Sequence, residues 1–291
     1  MSILVNRQTR VLIQGITGRV GRIQTRFMLD YGTNVVGGVS PGKGGEIVEG
    51  VPVFNTVDEA VAQLGAEASV FFIPPPAVKE AAIQTIKAGI KLIVVVTEHI
   101  PIHDVMEIRE YAQDTNTWLI GPTSPGVITP GEAKIGILPG NMFKPGRIGI
   151  ISRSGTLSYE ISVNLATANL GQSTVVGIGA DPVVLTNIPE LLELFEKDSE
   201  TDLVVIVGEV GGSQEQHAAE FIDRWMTKPV IAYIAGHNAP EGKRMGHAGA
   251  IIEDGSGTRD SKAAALHQVG VKVARYPAEV VKLVQESLRS R

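Results

Sequence analysis

Near its start the chain reads Arg10-Val11-Leu12-Ile13-Gln14-Gly15-Ile16-Thr17-Gly18-Arg19-Val20-Gly21, an apolar run followed by a glycine turn. The pattern predicts a strand over 10–14 and a helix over 19–30. Glycines let backbone N–H groups approach a phosphate, and a helix N-terminus favours negative charge. The stretch therefore predicts an anion site at the edge of a nucleotide-binding α/β sheet.

The rest of the first half repeats this alternation of buried strands and helices. The segments are strands at Asn34–Val39, Ser69–Ile73, Lys91–Val96 and Thr117–Ile120, and helices at Ala77–Ala88 and His103–Gln113. The alternation predicts a parallel, Rossmann-like sheet, in which ligands bind beyond the carboxyl ends of the strands. Those ends carry residues 40–45, 74–76 and 97–98.

A second alternation fills the second half and predicts a flavodoxin-like or Rossmann-like domain. Its strands are Arg147–Ile151, Ser173–Ile178, Asp202–Val207, Pro229–Ile234 and Val271–Ala274, and its helices are Thr156–Ala168, Ile188–Phe195, Gln214–Trp225, Asp260–Val269 and Ala278–Ser290. Between the halves, residues 121–146 are rich in proline and predict an inter-domain crossing with an ordered excursion at 133–137. The predicted division is 1–122, a connecting segment at 123–146, and 147–291.

Length and composition limit the class of protein. The 291 residues suit two domains, and a hydrophobic fraction of 43% supports a sizeable core. A net charge of −5 argues against general nucleic-acid binding. The chain has no cysteine, so any thiol in its chemistry belongs to a ligand. Without a membrane-spanning apolar run or a signal-peptide pattern at Met1–Asn6, we expect a cytoplasmic protein with no membrane partner.

The end of the second predicted strand indicates which nucleotide the first half binds. An NAD site needs an acid there, but the chain reads Gly37-Gly38-Val39-Ser40, with Lys43 just beyond. The spacing approaches a P-loop, yet Gly44 replaces the hydroxyl residue that would hold magnesium. Lys43 is therefore interpreted as a phosphate contact on a nucleotide that is neither NAD nor P-loop-bound ATP. The alternative is a solvated lysine in a turn.

His247 lies in the glycine-rich stretch 242–252 with small residues on both sides. A neutral imidazole is a good nucleophile at physiological pH, and Lys243 and Arg244 supply positive charge for a phosphoryl group. The alternative is a histidine that only packs in the turn. Glu209 follows an apolar strand between glycines and is a candidate to orient this imidazole, or else a first-turn helix acid.

Two further groups of residues have spacings that occur in ligand sites. Ser154, Gly155 and Thr156 would form the N-cap and first turn of a helix, which can bind an anion but can also be a plain cap. His99 and His103 have a metal-like spacing, but Pro101 interrupts the helix that would align them. No metal site is predicted.

These stretches together resemble the α subunit family of succinyl-CoA synthetase, the nucleoside-diphosphate-forming succinate–CoA ligase. The matching motifs stand in family order at 15–18, 37–45, 152–160, 208–212 and 242–252. The resemblance implies an N-terminal Rossmann-like CoA-binding domain followed by a flavodoxin-like ligase domain. The implied activity interconverts carboxylate, CoA and nucleoside triphosphate with acyl-CoA, diphosphate and phosphate.

The resemblance also implies site residues and partners. CoA would be bound by Thr17, Gly18, Arg19, Val20, Lys43, Val96, Thr97 and Glu98. His247 would become phosphorylated and Glu209 would position it, while Ser154, Gly155 and Thr156 hold the phosphate and Tyr159 lies beside the acid site. A separate β subunit with an ATP-grasp domain would carry Mg2+ and ATP or GTP, in an αβ or α2β2 assembly.

Some positions depart from the family pattern and leave the acid open. Thr123-Ser124-Pro125 stands for Asn-Cys-Pro, and Gly179-Ala180-Asp181-Pro182 stands for Gly-Gly-Asp-Pro. Ile23-Gln24 and residues 184–187 also differ. Succinate is the first expectation, with malate or another anionic acid as the alternative. Two other functions remain possible at this stage: an NAD-type oxidoreductase and a non-catalytic CoA-binding regulatory subunit.

Overall fold

The computed structural model describes residues 2–253, 255 and 257–289. The first half forms one sheet flanked by helices. In chain order its strands are β1 Val11–Gln14, β2 Val35–Val39, β3 Ile47–Val48, β4 Val51–Phe54, β5 Ala68–Phe71, β6 Leu92–Val95 and β7 Trp118–Ile120. Its helices are α1 Arg19–Tyr31, α2 Val57–Leu64, α3 Pro75–Lys87 and α4 Ile102–Ala112.

The second half forms another sheet. Its strands are β8 Gly126–Thr129, β9 Ala133–Gly136, β10 Pro145–Ser152, β11 Gln172–Gly177, β12 Leu203–Glu209, β13 Val230–Ala235 and β14 Lys272–Ala274. Its helices are α5 Gly155–Thr167, α6 Ile188–Lys197, α7 Gln214–Trp225, α8 Arg259–Gln268 and α9 Glu279–Arg289, and a short 3-10 helix spans Gly140–Met142. Among the described residues, no helix is both long and apolar enough to cross a bilayer.

The order of the first sheet creates a binding crevice. It runs β3-β4-β2-β1-β5-β6-β7, and every pairing is parallel except that of β3 with β4. The chain leaves β1 toward β2 on one side and later places β5 on the other. Ligands of such sheets bind at this reversal, beyond the carboxyl ends of the strands.

The second sheet follows the same logic with an antiparallel edge. Its order is β14-β13-β12-β10-β11-β8-β9. The five strands β10 to β14 pair in parallel, whereas β8 pairs antiparallel with both β9 and β11. Because β10 and β12 are neighbours, the residues that follow them meet at one edge of the sheet.

Burial explains why the strands were predictable. All residues of β1, β5 and β6 are buried, as are those of β12, so their sequences are nearly continuous apolar runs. The predicted α/β fold class, with one sheet in each half of the chain, is confirmed by the structure. Most predicted elements differ from the observed ones by one or two residues. Ser290, the end predicted for the last helix, is outside the described residues.

Among the described residues, five short elements were missed: β3, β4, α2, β8 and the 3-10 helix at Gly140–Met142. Helix α2 has only eight residues, and its start is marked by a capping box in which Thr56 and Glu59 satisfy each other's backbone N–H groups. Strands β8 and β9 lie in the segment predicted as a connection, and both extend the second sheet. The division at 122 and 146 stays a prediction.

Candidate functional site

The glycine turn after β1 is closely packed. Gly15 has φ of +76°, and a Cβ atom there would lie 2.5 Å from the carbonyl oxygen of Phe72. A Cβ at Gly21 would lie 2.2 Å from the carbonyl oxygen of Gly15. Only glycine fits at these two positions, so the start of α1 can sit directly against the turn and the end of β5.

The other predicted contacts of this turn lie at the N-terminus of α1. Thr17 Oγ1 donates to Ser40 Oγ at 3.0 Å, which ties the turn to the end of β2. Gly18 is the N-cap of α1 and has no side chain to cap it. Gly18, Arg19 and Val20 are exposed. The first-turn N–H groups therefore face outward without a side-chain acceptor, as an anion site requires.

Lys43 lies on a loop that Asn55 holds in place. Asn55 Oδ1 accepts from the N–H groups of Gly42 at 2.9 Å and Gly44 at 3.0 Å. The Lys43 ammonium is 3.3 Å from Glu46 Oε1 and remains half-exposed. Lys43 and Thr17 line the same open cleft of about 450 Å3 at the carboxyl ends of β1 and β2. Asn55 could not be singled out from the sequence, because asparagine is common in turns.

The end of β6 lies on the other side of this crevice. Val96 and Thr97 are half-buried, and Thr97 Oγ1 donates to the carbonyl oxygen of Ile73 at 2.8 Å. The Thr123 N–H donates to the carbonyl oxygen of Thr97 at 3.1 Å. Glu98 is exposed and lines a different cleft, described below. The predicted CoA contacts thus surround the carboxyl ends of β1, β2 and β6.

The loop that carries His247 is closed by backbone hydrogen bonds. Met245 N–H donates to Ala250 at 2.9 Å, and Gly242 N–H donates to Ile252 at 2.8 Å. Ala250 and Ile252 are buried against Val210, which anchors the loop to the chain just after β12. The loop therefore has a defined position against the end of that strand.

A glycine contact brings this loop next to the β12–α7 turn. Gly211 has φ of +88°, and a Cβ there would lie 2.0 Å from the carbonyl oxygen of Gly249. Any other residue would push the loop away, so the glycines of the two motifs serve the same close approach.

Glu209, the last residue of β12, contacts the imidazole directly. His247 Nδ1 lies 2.7 Å from Glu209 Oε2. A carboxylate only accepts, so Nδ1 carries a hydrogen, and in the neutral ring Nε2 is left with its lone pair. The hydrogen bond to Glu209 raises the pKa of His247 above its ordinary value, against the opposing effect of burial. Sequence reasoning proposed this pair, and the structure brings the two residues together.

A buried charge network behind Glu209 was missed by the sequence analysis. Arg153 Nη1 donates to the carbonyl oxygens of Glu209 at 3.1 Å and Gly211 at 2.9 Å, and it lies 3.2 Å from Glu215 Oε1. Lys262 Nζ donates to the same two carbonyls and to Glu215 Oε2. The two cations therefore fix the backbone on both sides of Val210.

Charge compensation keeps the Glu215 carboxylate ionised. Burial alone would raise the pKa of Glu215, but Arg153 and Lys262 outweigh it and hold that pKa below its usual range. Burial lowers the pKa of Lys262, and Glu215 opposes this. Arg153 Nη2 also lies 3.5 Å from Glu209 Oε1, so this carboxylate stands between a guanidinium and the imidazole. Lys262 has the same local sequence pattern as a surface lysine on a helix, which is why it gave no signal.

The predicted phosphate-binding helix terminus is at the same edge of the sheet. Ser154 is the N-cap of α5, and its Oγ accepts from the Leu157 N–H at 3.4 Å. Ser154 is buried, whereas Thr156 is exposed. The Arg153 N–H donates to Val207 at 2.9 Å, so α5 begins beside the strand that ends in Glu209. Tyr159 is half-buried one turn further on, and burial raises its pKa.

His247 opens into a cleft of about 330 Å3 that both halves of the chain line. Glu98, His99 and Thr123 contribute from one side, and Asp181, Arg244 and His247 contribute from the other. Lys243 is exposed and does not line this cleft. Within the part of the chain that the structure describes, no three His, Cys, Asp or Glu side chains are grouped to hold a metal ion.

Among known proteins, this chain matches two family models and several full-length relatives. Residues 6–99 match the family described as "CoA binding domain", and residues 151–272 match "CoA-ligase". Succinate–CoA ligase [ADP-forming] subunit alpha 2 of Archaeoglobus fulgidus is 53% identical over 99% of this chain and 100% of its own. The chain belongs to the family of succinate–CoA ligase alpha subunits. A second member, from Aquifex aeolicus, is 51% identical over 99% of this chain and 95% of its own.

Solved structures of two more distant proteins show the same fold. ATP citrate lyase from Methanothrix soehngenii superposes with a TM-score of 0.90 at 23% identity, over 99% of this chain and 51% of that one. A dinucleotide-forming acetyl-coenzyme A synthetase from Ca. Korarchaeum cryptofilum superposes with a TM-score of 0.71 at 20% identity, over 93% of this chain and 58% of that one. At these identities the likeness concerns the fold alone. Membership of the succinate–CoA ligase alpha family favours the ligase interpretation over the dehydrogenase alternative.

Proposed function

We propose that this chain is the alpha subunit of an ADP-forming succinate–CoA ligase that works through a phosphohistidine at His247. The observation that carries the proposal is the 2.7 Å contact between Glu209 and Nδ1 of His247 in a cleft shared by both halves of the chain. That contact leaves Nε2 as the nucleophilic nitrogen. The relatives named as succinate–CoA ligase alpha subunits span the whole chain, which supports the same activity.

The chemistry solves the problem of a poor leaving group. A carboxylate cannot transfer its acyl group to a thiol because oxide would have to leave. Attack of a carboxylate oxygen on the phosphorus of phospho-His247 breaks the P–N bond and gives an acyl phosphate. The CoA thiolate then attacks the acyl carbon and phosphate departs. Glu209 keeps the hydrogen on Nδ1 and stabilises the positive charge that the ring gains on phosphorylation.

The phosphate and CoA are held by groups at strand ends. The α5 terminus at Ser154, Gly155 and Thr156 supplies N–H groups for the phosphoryl oxygens. The CoA phosphates would lie between the α1 terminus and Lys43. The thiol arm would then pass Val96, Thr97 and Glu98 toward His247, because Glu98 and His247 line one cleft.

A β subunit supplies the rest of the reaction. We propose that it carries the nucleotide and Mg2+ on an ATP-grasp domain, in an αβ or α2β2 assembly. When bound, Mg2+ would neutralise the nucleotide phosphates during transfer to His247. Succinate is the acid we propose, and Tyr159 would lie beside it.

The proposal is tested by reconstitution with a β chain from the same source. Formation of ADP should require succinate, CoA and both chains together. A complex that binds CoA but never cleaves ATP would support the regulatory-subunit alternative instead. Titration with NADH fluorescence gives an independent control, since no binding is expected.

A further inference from the structure

The cleft beside His247 contains the carboxylate of Asp181, which has no part in the phosphorylation of the histidine. Asp181 lies between β11 and α6 and is half-buried. Among the described residues, the titratable side chains that line this cleft with it are Glu98, His99, Arg244 and His247. Behind His247 stand Glu209 and Arg153. Asp181 therefore faces the place where an acyl phosphate made at His247 would meet a thiol.

Hydrogen bonds connect Asp181 and its neighbour Ala180 to the residues after β6 and to the His247 loop. Thr123 Oγ1 donates to Asp181 Oδ2 at 3.1 Å, and the Thr123 N–H donates to Thr97 at 3.1 Å. On the other side, the Gly249 N–H donates to the carbonyl oxygen of Ala180 at 2.8 Å. Asp181 is thus held between the strand end expected to guide CoA and the loop that carries His247.

The environment makes this carboxylate more basic than usual. Burial raises the pKa of Asp181, and the nearby charge of Glu98 raises it further. The hydrogen bond from Thr123 and the two histidines His99 and His247 act in the opposite direction without cancelling the effect. A carboxylate of this kind is suited to accept a proton and give it up again.

We propose that Asp181 is the general base that activates the CoA thiol, a role that rests on the function proposed above. The S–H proton moves to the Asp181 carboxylate as sulfur attacks the acyl carbon. The S–C bond forms, the bond from that carbon to the phosphate oxygen breaks, and Asp181 returns its proton to the departing phosphate. Acyl phosphate and thiol thereby give thioester and hydrogen phosphate, with no proton left over.

The size of the effect follows from the acidity of a thiol. A thiol with pKa near 8.5 is only about one-thirtieth ionised at pH 7 and about one-quarter ionised at pH 8. An enzyme that lacks the Asp181 carboxylate can use only the fraction of the thiol that is already ionised. Its loss of rate should therefore be about 30-fold at pH 7 and about fourfold at pH 8.

The test uses the reconstituted complex and separates two half-reactions. Asp181→Asn keeps an oxygen that can accept from Thr123 but has no basicity. We expect phosphorylation of His247 by labelled ATP within about twofold of the wild type. Formation of succinyl-CoA from the isolated phosphoenzyme, succinate and CoA should fall about 30-fold at pH 7 and recover as pH rises, because this step follows transfer of the phosphate to succinate. Asp181→Glu should restore part of the rate at pH 7.

A surface substitution of the same kind provides the control. Asp30→Asn, on the exposed end of α1, should leave both half-reactions unchanged. A wild-type rate of succinyl-CoA formation in Asp181→Asn, or a loss independent of pH, would overturn the inference. Equal loss of ATP-dependent phosphorylation would assign Asp181 to holding the His247 loop instead. If the wild-type complex never forms a phosphoenzyme, the proposed function itself fails, and this inference with it.

Discussion

Glu209 Oε2 accepts a hydrogen bond from Nδ1 of His247 while Oε1 of the same carboxylate lies 3.5 Å from Arg153 Nη2. A donor thus stands on each side of Glu209. The arrangement fixes the tautomer of the imidazole because the ionised carboxylate of Glu209 can only accept, so Nδ1 must carry the hydrogen. Replacing the carboxylate by an amide has a predictable consequence.

In Glu209→Gln, Arg153 should attract the amide oxygen and leave the NH2 group facing His247. Nδ1 must then accept, so the hydrogen moves to Nε2 and blocks the nucleophile. We expect the activation free energy of phosphorylation to rise by about 2–4 kcal/mol, which slows the reaction roughly 30- to 1,000-fold. The pKa of His247 should fall because its main raising contact is lost, so the acid limb of the pH–rate profile moves to lower pH. Quench-flow labelling measures both effects.

The control for that variant is Glu241→Gln, an exposed acid on the same loop. It should phosphorylate at the wild-type rate. A normal rate in Glu209→Gln as well would mean that this carboxylate serves only the helix terminus.

Lys43→Ala should weaken CoA binding if its ammonium contacts a CoA phosphate. A charge-assisted contact of this kind contributes about 1.5–3 kcal/mol. Contact with the 3′-phosphate predicts a much larger loss for CoA than for dephospho-CoA, whereas contact with the pyrophosphate predicts equal losses. Calorimetric titration of both ligands distinguishes the two cases.

Lys91→Ala is the matched control, since Lys91 also lies 3.3 Å from a glutamate, Glu67, but precedes β6 at the opposite edge of the sheet. CoA affinity should not change there. Unchanged affinity in both variants would return Lys43 to the role of a solvated turn lysine.

Lys262→Met should destabilise the second half of the chain strongly. It leaves Glu215 buried with one cation fewer and removes a donor from the carbonyls of Glu209 and Gly211. Removing one partner of a buried pair costs about 3–5 kcal/mol. Urea unfolding followed by circular dichroism measures the loss.

The comparison for that experiment is Lys197→Met, because Lys197 forms an exposed pair with Glu193 one helical turn away. Such a pair contributes about 0.3–0.5 kcal/mol. Similar urea midpoints for the two variants would show that the buried network stabilises the fold no more than a surface ion pair does.

Succinate should exceed malate, citrate, acetate and sulfoacetate in kcat/KM for CoA-dependent ATP cleavage. The departures at 123–124 introduce hydroxyls that could have matched a hydroxylated acid. In the structure, Ser124 Oγ donates to Gly177 and accepts from the Gly126 N–H, and Thr123 Oγ1 donates to Asp181. With Ser124 occupied inside the protein, a preference for malate has no buried partner to support it. A panel won by malate would contradict this interpretation.

The fold was predictable because its signals are local and repeated. The buried parallel strands are apolar throughout, and the glycine turn after β1 is needed for a close backbone approach. The short elements β3, β4 and α2 could not be predicted, because a segment of two to eight residues is too short to show a clear hydrophobic periodicity.

The site was predictable only in part. Glu209 and His247 stand out as polar side chains among glycines, and their pairing could be proposed from chemistry. The two buried cations, Arg153 and Lys262, could not be predicted. In the sequence Lys262 on α8 looks like any surface lysine, and only the tertiary packing buries it beside Glu215. Asp181 likewise could not be singled out from the sequence, because the cleft that it lines with His247 forms only in the folded chain.

The most direct test of the account is phosphate labelling of the reconstituted complex. Incubation with Mg2+ and ATP labelled at the γ-phosphate should give one acid-labile, alkali-stable phosphate on this chain, located by mass spectrometry at His247. His247→Asn, whose amide can still donate to Glu209, should carry no label while it binds CoA normally. Equal labelling of His247→Asn and the wild type would contradict the phosphohistidine mechanism.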